Sequence, residues 1–120
     1  MATAAVTSTR IGTYAFRYSW SALGNGDTGT PVDTTDLADQ TFQVLSTGTT
    51  FGVGGTVVLE GSADNVDYFP LKDPSSTVIS LTAAGGRGVL EHSRFVRPRI
   101  SAGDGSTSIL VVLFARRTSR

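Results

Sequence analysis

Few side chains in this chain are of the types that carry out chemistry. His92 is the single histidine, and there is no cysteine. A Ser-His-Asp site needs a serine placed on a nucleophile elbow, and no such spacing occurs in the sequence. Histidine metal sites need more than one histidine. We therefore expect His92 to be a polar residue at a strand end, and we predict that the protein is not an enzyme.

Aspartates form a second group, in two stretches rich in turn-forming residues. They are Asp27, Asp33, Asp36 and Asp39 within residues 23–40, and Asp64, Asp67 and Asp73 around the hairpin that follows residue 55. Calcium takes six to eight oxygen ligands, but neither stretch matches a dedicated calcium motif. Asp and Asn also close turns by accepting backbone hydrogen bonds. We expect turn closure, with a structural calcium ion as the alternative, and we predict no cofactor.

Arginine is the third group, with nine arginines against one lysine. Arg97 and Arg99 share one strand face, and Arg94 is near them in sequence. Arginine forms directed contacts with carboxylates, so we predict a subunit interface at Arg94, Arg97 and Arg99. A solvated face and a nucleic-acid surface are the alternatives. The formal net charge of zero argues against nucleic acid, and we expect no nucleic-acid partner.

The elements that position these residues read as strands. Residues 11–20 alternate, with Tyr14, Phe16, Tyr18 and Trp20 on one face, which indicates a half-buried strand. The four rings either fill the core or face a partner. Residues 23–40 read as a long loop, with a short helix possible over 34–40.

Two stretches in the C-terminal half have sequence patterns typical of β-hairpins. Residues 55–71 and 94–117 each place β-branched and aromatic residues around a cluster of Asp, Asn, Gly and Ser. Pro70 and Pro98 cannot donate to a ladder, which predicts edge positions. Residues 109–114 are almost continuously apolar, which is typical of a central strand.

These elements predict an all-β single domain: a β-sandwich or jelly-roll-like barrel of about seven to eight antiparallel strands. At 120 residues, the chain is long enough for a core without metal or disulfide. Residues 1–10 are small and polar and are predicted to form a flexible, extended N-terminal arm, with residues 11–120 as the sandwich. The sequence shows neither a signal peptide nor a membrane span, so we expect synthesis in the cytoplasm and no membrane partner.

The hairpin at 57–71, followed by residues 94–117, is similar to small virion proteins encoded among the head genes of tailed bacteriophages, including capsid decoration or cement proteins. The resemblance covers about residues 55–117. It implies a homotrimer that binds the major capsid protein on the outer surface of an icosahedral head and stabilises the lattice, so that the protein is located on the virion. The residues assigned to lattice contact are those of the arm: Ala2, Thr3, Ala4, Ala5, Val6, Thr7, Ser8 and Thr9.

The sequence is also compatible with two alternatives to a capsid decoration protein. A tail- or fibre-associated virion protein has similar hairpins. A carbohydrate-binding β-sandwich module belongs to a different class, and residues 61–68 also resemble parts of galactose-binding sandwiches. In that case Tyr and Trp rings would stack on sugars, and Trp20 fluorescence would respond to glycans.

Overall fold

The computed structural model describes residues 3–117, which form strands, turns and loops without any helix. In chain order the strands are β1 Thr3–Ala4, β2 Val6–Arg10, β3 Ala15–Leu23, β4 Thr28–Gly29, β5 Val32–Asp33, β6 Leu37–Val44, β7 Thr56–Ser62, β8 Phe69–Pro70, β9 Ser80–Leu81, β10 Gly85–Gly88, β11 Phe95–Ala102 and β12 Ile109–Arg117. Accordingly, the described part of the chain contains no helix long and apolar enough to span a membrane.

The strands form two sheets. The first, seven-stranded sheet has the order β1-β4-β11-β7-β8, with β5 also beside β11 and β9 beside β7; the second has the order β10-β6-β12-β3-β2. All pairs are antiparallel except β1 with β4. The all-β sandwich is confirmed. There are more strands than the predicted seven to eight because five of them have only two residues, too few to show an alternating pattern.

Alternate residues of the long strands fill the space between the sheets. Trp20, Phe42 and Leu113 project from the five-stranded sheet, and Leu59 and Ile100 from the other; none is more than 1% exposed. The apolar run 109–114 lies in β12, between β3 and β6, as predicted for a central strand. This core fixes which face of each strand is left for other roles.

The first predicted hairpin is confirmed, since β7 pairs with β8 at Glu60 and Pro70. The second is wrong as a hairpin: β11 belongs to the seven-stranded sheet and β12 to the five-stranded sheet. The turn at residues 103–105 is present, but it carries the chain from one sheet to the other. Turn-forming residues between two apolar strands do not distinguish a hairpin from such a crossing.

Two further local predictions are wrong. Pro98 lies in β11, an interior strand, where the neighbours β4 and β5 contact residues on either side of the proline. The missing N–H therefore falls in the gap between two short strands. The short helix over 34–40 does not form. The Thr34 hydroxyl donates to the Ser93 carbonyl at 2.6 Å instead of capping a helix, and β6 begins at Leu37.

The predicted flexible arm is also corrected over its described residues. Thr3 and Ala4 pair in parallel with β4, and β2 pairs with β3 from Val6 to Arg10. Small polar residues gave no periodic signal because β2 has little of its surface in the core. Ala2 lies outside the described residues. β3 starts at Ala15, since residues 11–14 form the turn between β2 and β3.

Candidate functional site

The aromatic stripe of β3 runs out of the core at one end of the sandwich. Trp20 is fully buried, Phe16 and Tyr18 are half-buried, and Tyr14, just before the strand, is 43% exposed. The core interpretation therefore holds for Trp20, and the expectation that the more exposed rings face a partner stays a prediction. Trp20 donates from Nε1 to the Thr30 carbonyl at 2.9 Å and cannot stack on a ligand, which removes it as the expected glycan contact.

The exposed end of the stripe lines an open groove of about 410 Å³, here named the end groove. The Phe16 and Tyr18 rings form a stacked pair in it, with centroids 6.4 Å apart and planes 19° apart. The lining residues are Phe16, Tyr18, Asp33, Thr35, Asp36, Leu37 and Arg117. Strand β3 supplies the rings, the turn from β5 to β6 supplies residues 33–37, and the end of β12 supplies Arg117.

Hydrogen bonds hold Asp33 in this groove and lower its pKa. Oδ1 of Asp33 accepts from the Thr35 backbone N–H at 3.0 Å and from the Thr35 hydroxyl at 2.5 Å, and both bonds favour the carboxylate. Burial, with a smaller contribution from the charge of Asp33, raises the pKa of Tyr18. The groove thus presents a neutral phenol beside an ionised carboxylate.

Several polar groups of the end groove have no partner among the described residues. Among residues 3–117, no hydrogen bond reaches Oδ2 of Asp33 or the Tyr18 hydroxyl, and the side chains of Asp36 and Arg117 form no hydrogen bond or ion pair. Donors and acceptors therefore surround the two rings without satisfying one another. Such a set is suited to a ligand that brings its own polar groups.

A shallower depression of about 450 Å³ adjoins the end groove through Thr35 and is lined by Thr35, His92, Ser93 and Arg94. Nε2 of His92 lies 2.7 Å from the Thr34 carbonyl oxygen, and the Arg94 guanidinium stands 4.9 Å from the ring centroid of Phe95. His92 thus makes a polar contact with a neighbouring turn. The structure places Arg94 at this end of the sandwich.

Arg97 and Arg99 belong to a different cluster, on the outer face of the seven-stranded sheet. Nε of Arg97 donates to Oε1 of Glu60 at 3.1 Å, and Nε of Arg99 donates to Oε2 at 2.9 Å. Arg97 also lies over the Tyr68 ring, 3.8 Å from its centroid. The three arginines of the predicted subunit interface are therefore not one patch, and two of them pair within the chain. Their role between subunits stays a prediction.

Asp33, Asp64 and Asp73 close turns, as expected, whereas Asp39 pairs with Arg116. Oδ1 of Asp64 accepts from the N–H groups of Val66 and Asp67, both at 2.9 Å. Oδ1 of Asp73 accepts from those of Ser75 and Thr77, at 2.9 and 3.1 Å. Within residues 3–117, no three His, Cys, Asp or Glu residues are grouped so as to hold a metal ion.

Sequence reasoning did not bring residues 33–37 together with the aromatic stripe. The available signal was the run Asp-Thr-Thr-Asp at 33–36 directly after Val32, which predicts a turn but not its position in the fold. Only the pairing of β5 with β11, across from β3, places that turn opposite Phe16 and Tyr18.

No protein-family model and no curated protein matches the sequence. The structure is similar to that of the SPBc2 prophage-derived protein YomS, with a TM-score of 0.61, 9% identity, and coverage of 89% of this chain and 98% of that one. It is also similar to a cupin domain from Bordetella pertussis Tohama I, with a TM-score of 0.52, 13% identity, and coverage of 96% and 94%. At these identities the likeness concerns the fold, and cupins are double-sheet jelly rolls.

Proposed function

We propose that this chain is a structural protein of a phage virion: a decoration or cement subunit that binds the outer surface of an icosahedral head through the major capsid protein. The fold likeness to a prophage-derived protein supports a phage setting. The hairpin at 55–71 and the two strands joined by a turn at 94–117, whose sequences resemble those of head-gene virion proteins, support the decoration role. The observation that carries the proposal is the open edge of β2.

Within the described residues, β2 pairs with β3 on one side only, so its other edge ends the five-stranded sheet. Edge strands usually carry lysine, proline or a bulge that prevents a further strand from adding. β2 has none of these. Its one charge, Arg10, is turned towards the following turn, where Nε donates to the Gly12 carbonyl at 3.1 Å. The edge is therefore suited to accept a partner strand.

The proposal keeps the predicted contact segment but changes how it acts. Thr7, Ser8 and Thr9 are exposed on the edge strand, where they would pair with an extended segment of the capsid protein instead of reaching across it as a loose arm. In a trimer, three such edges would bind together, so modest contacts would give firm attachment. Because the bound lattice is favoured by mass action, attachment would stabilise the head.

The test compares two lysine variants in co-sedimentation with particles assembled from the genome that encodes the chain. Thr7→Lys combined with Thr9→Lys places charges on the open edge. Thr41→Lys is the control, because Thr41 is exposed on the same sheet but lies in β6, an interior strand. We expect the double variant to lose binding by about tenfold or more and the control to bind like the unmodified chain.

Antibody labelling of the same particles locates the protein. Label spread over the head supports decoration, and label on the tail supports the tail- or fibre-associated alternative. Absence of label contradicts the proposed location on the particle. Equal binding by both lysine variants contradicts the proposed contact through the edge of β2. Light scattering coupled to gel filtration, over a concentration series, tests the expected trimer.

A further inference from the structure

The end groove combines aromatic rings with polar groups that no other described residue satisfies. We propose that it binds a neutral saccharide, a function separate from attachment through β2. The proposal depends on three features: the pair of rings, the unsatisfied groups around it, and the balance of charge.

The rings supply an apolar surface of the right form. Phe16 and Tyr18 are stacked, with planes 19° apart and centroids 6.4 Å apart, and both line the groove, so they give it an aromatic wall against which a ligand can pack. Leu37, which is 4% exposed, forms part of the wall. One face of a pyranose ring is covered with C–H groups that pack on aromatic carbons. At about 410 Å³, the groove is within the usual size range of small-ligand sites.

The polar groups match hydroxyls, which both donate and accept. Oδ2 of Asp33 and the carboxylate of Asp36 accept, the Arg117 guanidinium donates, and the Tyr18 hydroxyl does either. These side chains border the two rings. A saccharide that packs on the rings therefore presents its equatorial hydroxyls to donors and acceptors together.

The balance of charge favours a neutral occupant. Asp33 and Asp36 carry two negative charges, and Arg117, together with Arg94, whose charge helps to lower the pKa of Asp33, carries two positive charges. A cationic peptide would meet Arg117, and an anionic ligand would meet Asp33 and Asp36. A neutral polyol uses both signs as hydrogen-bonding partners without repulsion from either.

Two other aromatic clusters within residues 3–117 lack this combination. Tyr68 is covered by the Arg97 guanidinium, and its hydroxyl donates to the Asn65 side chain. Phe114 lines a groove of about 430 Å³ on the outer face of the five-stranded sheet, but it is the single ring there, and the Arg116 beside it pairs with Asp39 at 2.7 Å.

Saturation-transfer difference NMR tests the proposal with a panel of neutral probes: glucose, galactose, mannose, N-acetylglucosamine, lactose and maltose at millimolar concentration. We expect transfer to at least one sugar, and its titration should shift the ring protons of Phe16 and Tyr18. Tyr18→Ala should weaken binding by about tenfold, since it removes one of the two rings that line the groove. Asp36→Asn, at an exposed position, should weaken it without threatening the fold.

Matched controls are Asp39→Asn, outside the groove, and the Thr7→Lys, Thr9→Lys double variant, both of which should retain binding. The proposal is overturned if no sugar of the panel shows transfer. It is also overturned if transfer persists unchanged in both Tyr18→Ala and Asp36→Asn. Shifts of the Phe16 and Tyr18 rings by an arginine-containing peptide, with none from any sugar, would likewise overturn it and assign the groove to a protein partner.

Discussion

Glu60 lies directly opposite Arg97 in the ladder between β7 and β11, and its carboxylate is bonded both to Arg97 and to Arg99. The two strands place all three side chains on the outer face of the sheet, yet Glu60 is only 7% exposed. The guanidinium groups, with Tyr68 over Arg97, cover it. An acidic residue is stable in this position because both of its oxygens are paired.

Removing this carboxylate should destabilise the fold. Glu60→Ala leaves two guanidinium groups without their acceptor, and we expect a loss of about 1–2 kcal/mol in the free energy of unfolding. This expected loss of stability is smaller than the loss on breaking a fully buried ion pair, because the Arg97 and Arg99 side chains are 25% and 41% exposed. Denaturant unfolding of the two proteins measures the difference.

Asp39→Ala is the matched control for Glu60→Ala. It breaks the Arg116–Asp39 pair, whose side chains are 61% and 68% exposed, and should cost about 0–1 kcal/mol. If the two variants lost equal stability, the Glu60 cluster would contribute no more to the stability of the fold than an exposed surface ion pair does.

The sequence predicted those parts of the fold that depend on local pattern. Alternation identified the aromatic stripe, and turn residues identified the hairpin at 55–71 with its Asp64 closure. The crossing between β11 and β12 could not be predicted, because either topology satisfies the same alternation of apolar residues. Which sheet each strand joins is decided by packing over the whole core.

The end groove could be predicted only in part, for the same reason. The stripe from Tyr14 to Trp20 was visible, but the point at which it leaves the core was not. That point is set by tertiary packing, which the local sequence pattern does not encode. The Glu60 partner of Arg97 was also missed, because the two residues are 37 positions apart and meet only through strand register.

Gly29 should tolerate no side chain. A Cβ atom built there would lie 2.5 Å from Cδ1 of Trp20 and 2.7 Å from Cδ and Cγ of Pro98. Because Trp20 is fully buried and Pro98 lies in an interior strand, neither can move aside easily. We expect Gly29→Ala to lower the free energy of unfolding by about 1–3 kcal/mol, as measured in denaturant.

The control for Gly29 is Gly85→Ala in β10, where an added Cβ meets no atom within 4 Å. Its stability should change by no more than about 0.5 kcal/mol. A Gly29→Ala protein as stable as the Gly85→Ala protein would show that the contact among Gly29, Trp20 and Pro98 is looser than described.

Asp104 should make stability depend on pH in the acid range. Hydrogen bonds from the Ser106 hydroxyl and from the N–H groups of Val53 and Ser106 lower its pKa from 3.8 to about 2. The fold favours the carboxylate, so this stabilisation is complete above pH 3.8 and is lost as pH falls towards about 2. The melting temperature of the unmodified chain should exceed that of Asp104→Asn at neutral pH, and the gap should narrow over that interval. The other carboxyl groups are common to both proteins, so their effects largely cancel in the difference between the two melting temperatures. A gap that stayed constant down to about pH 2 would mean that these bonds do not distinguish the two protonation states.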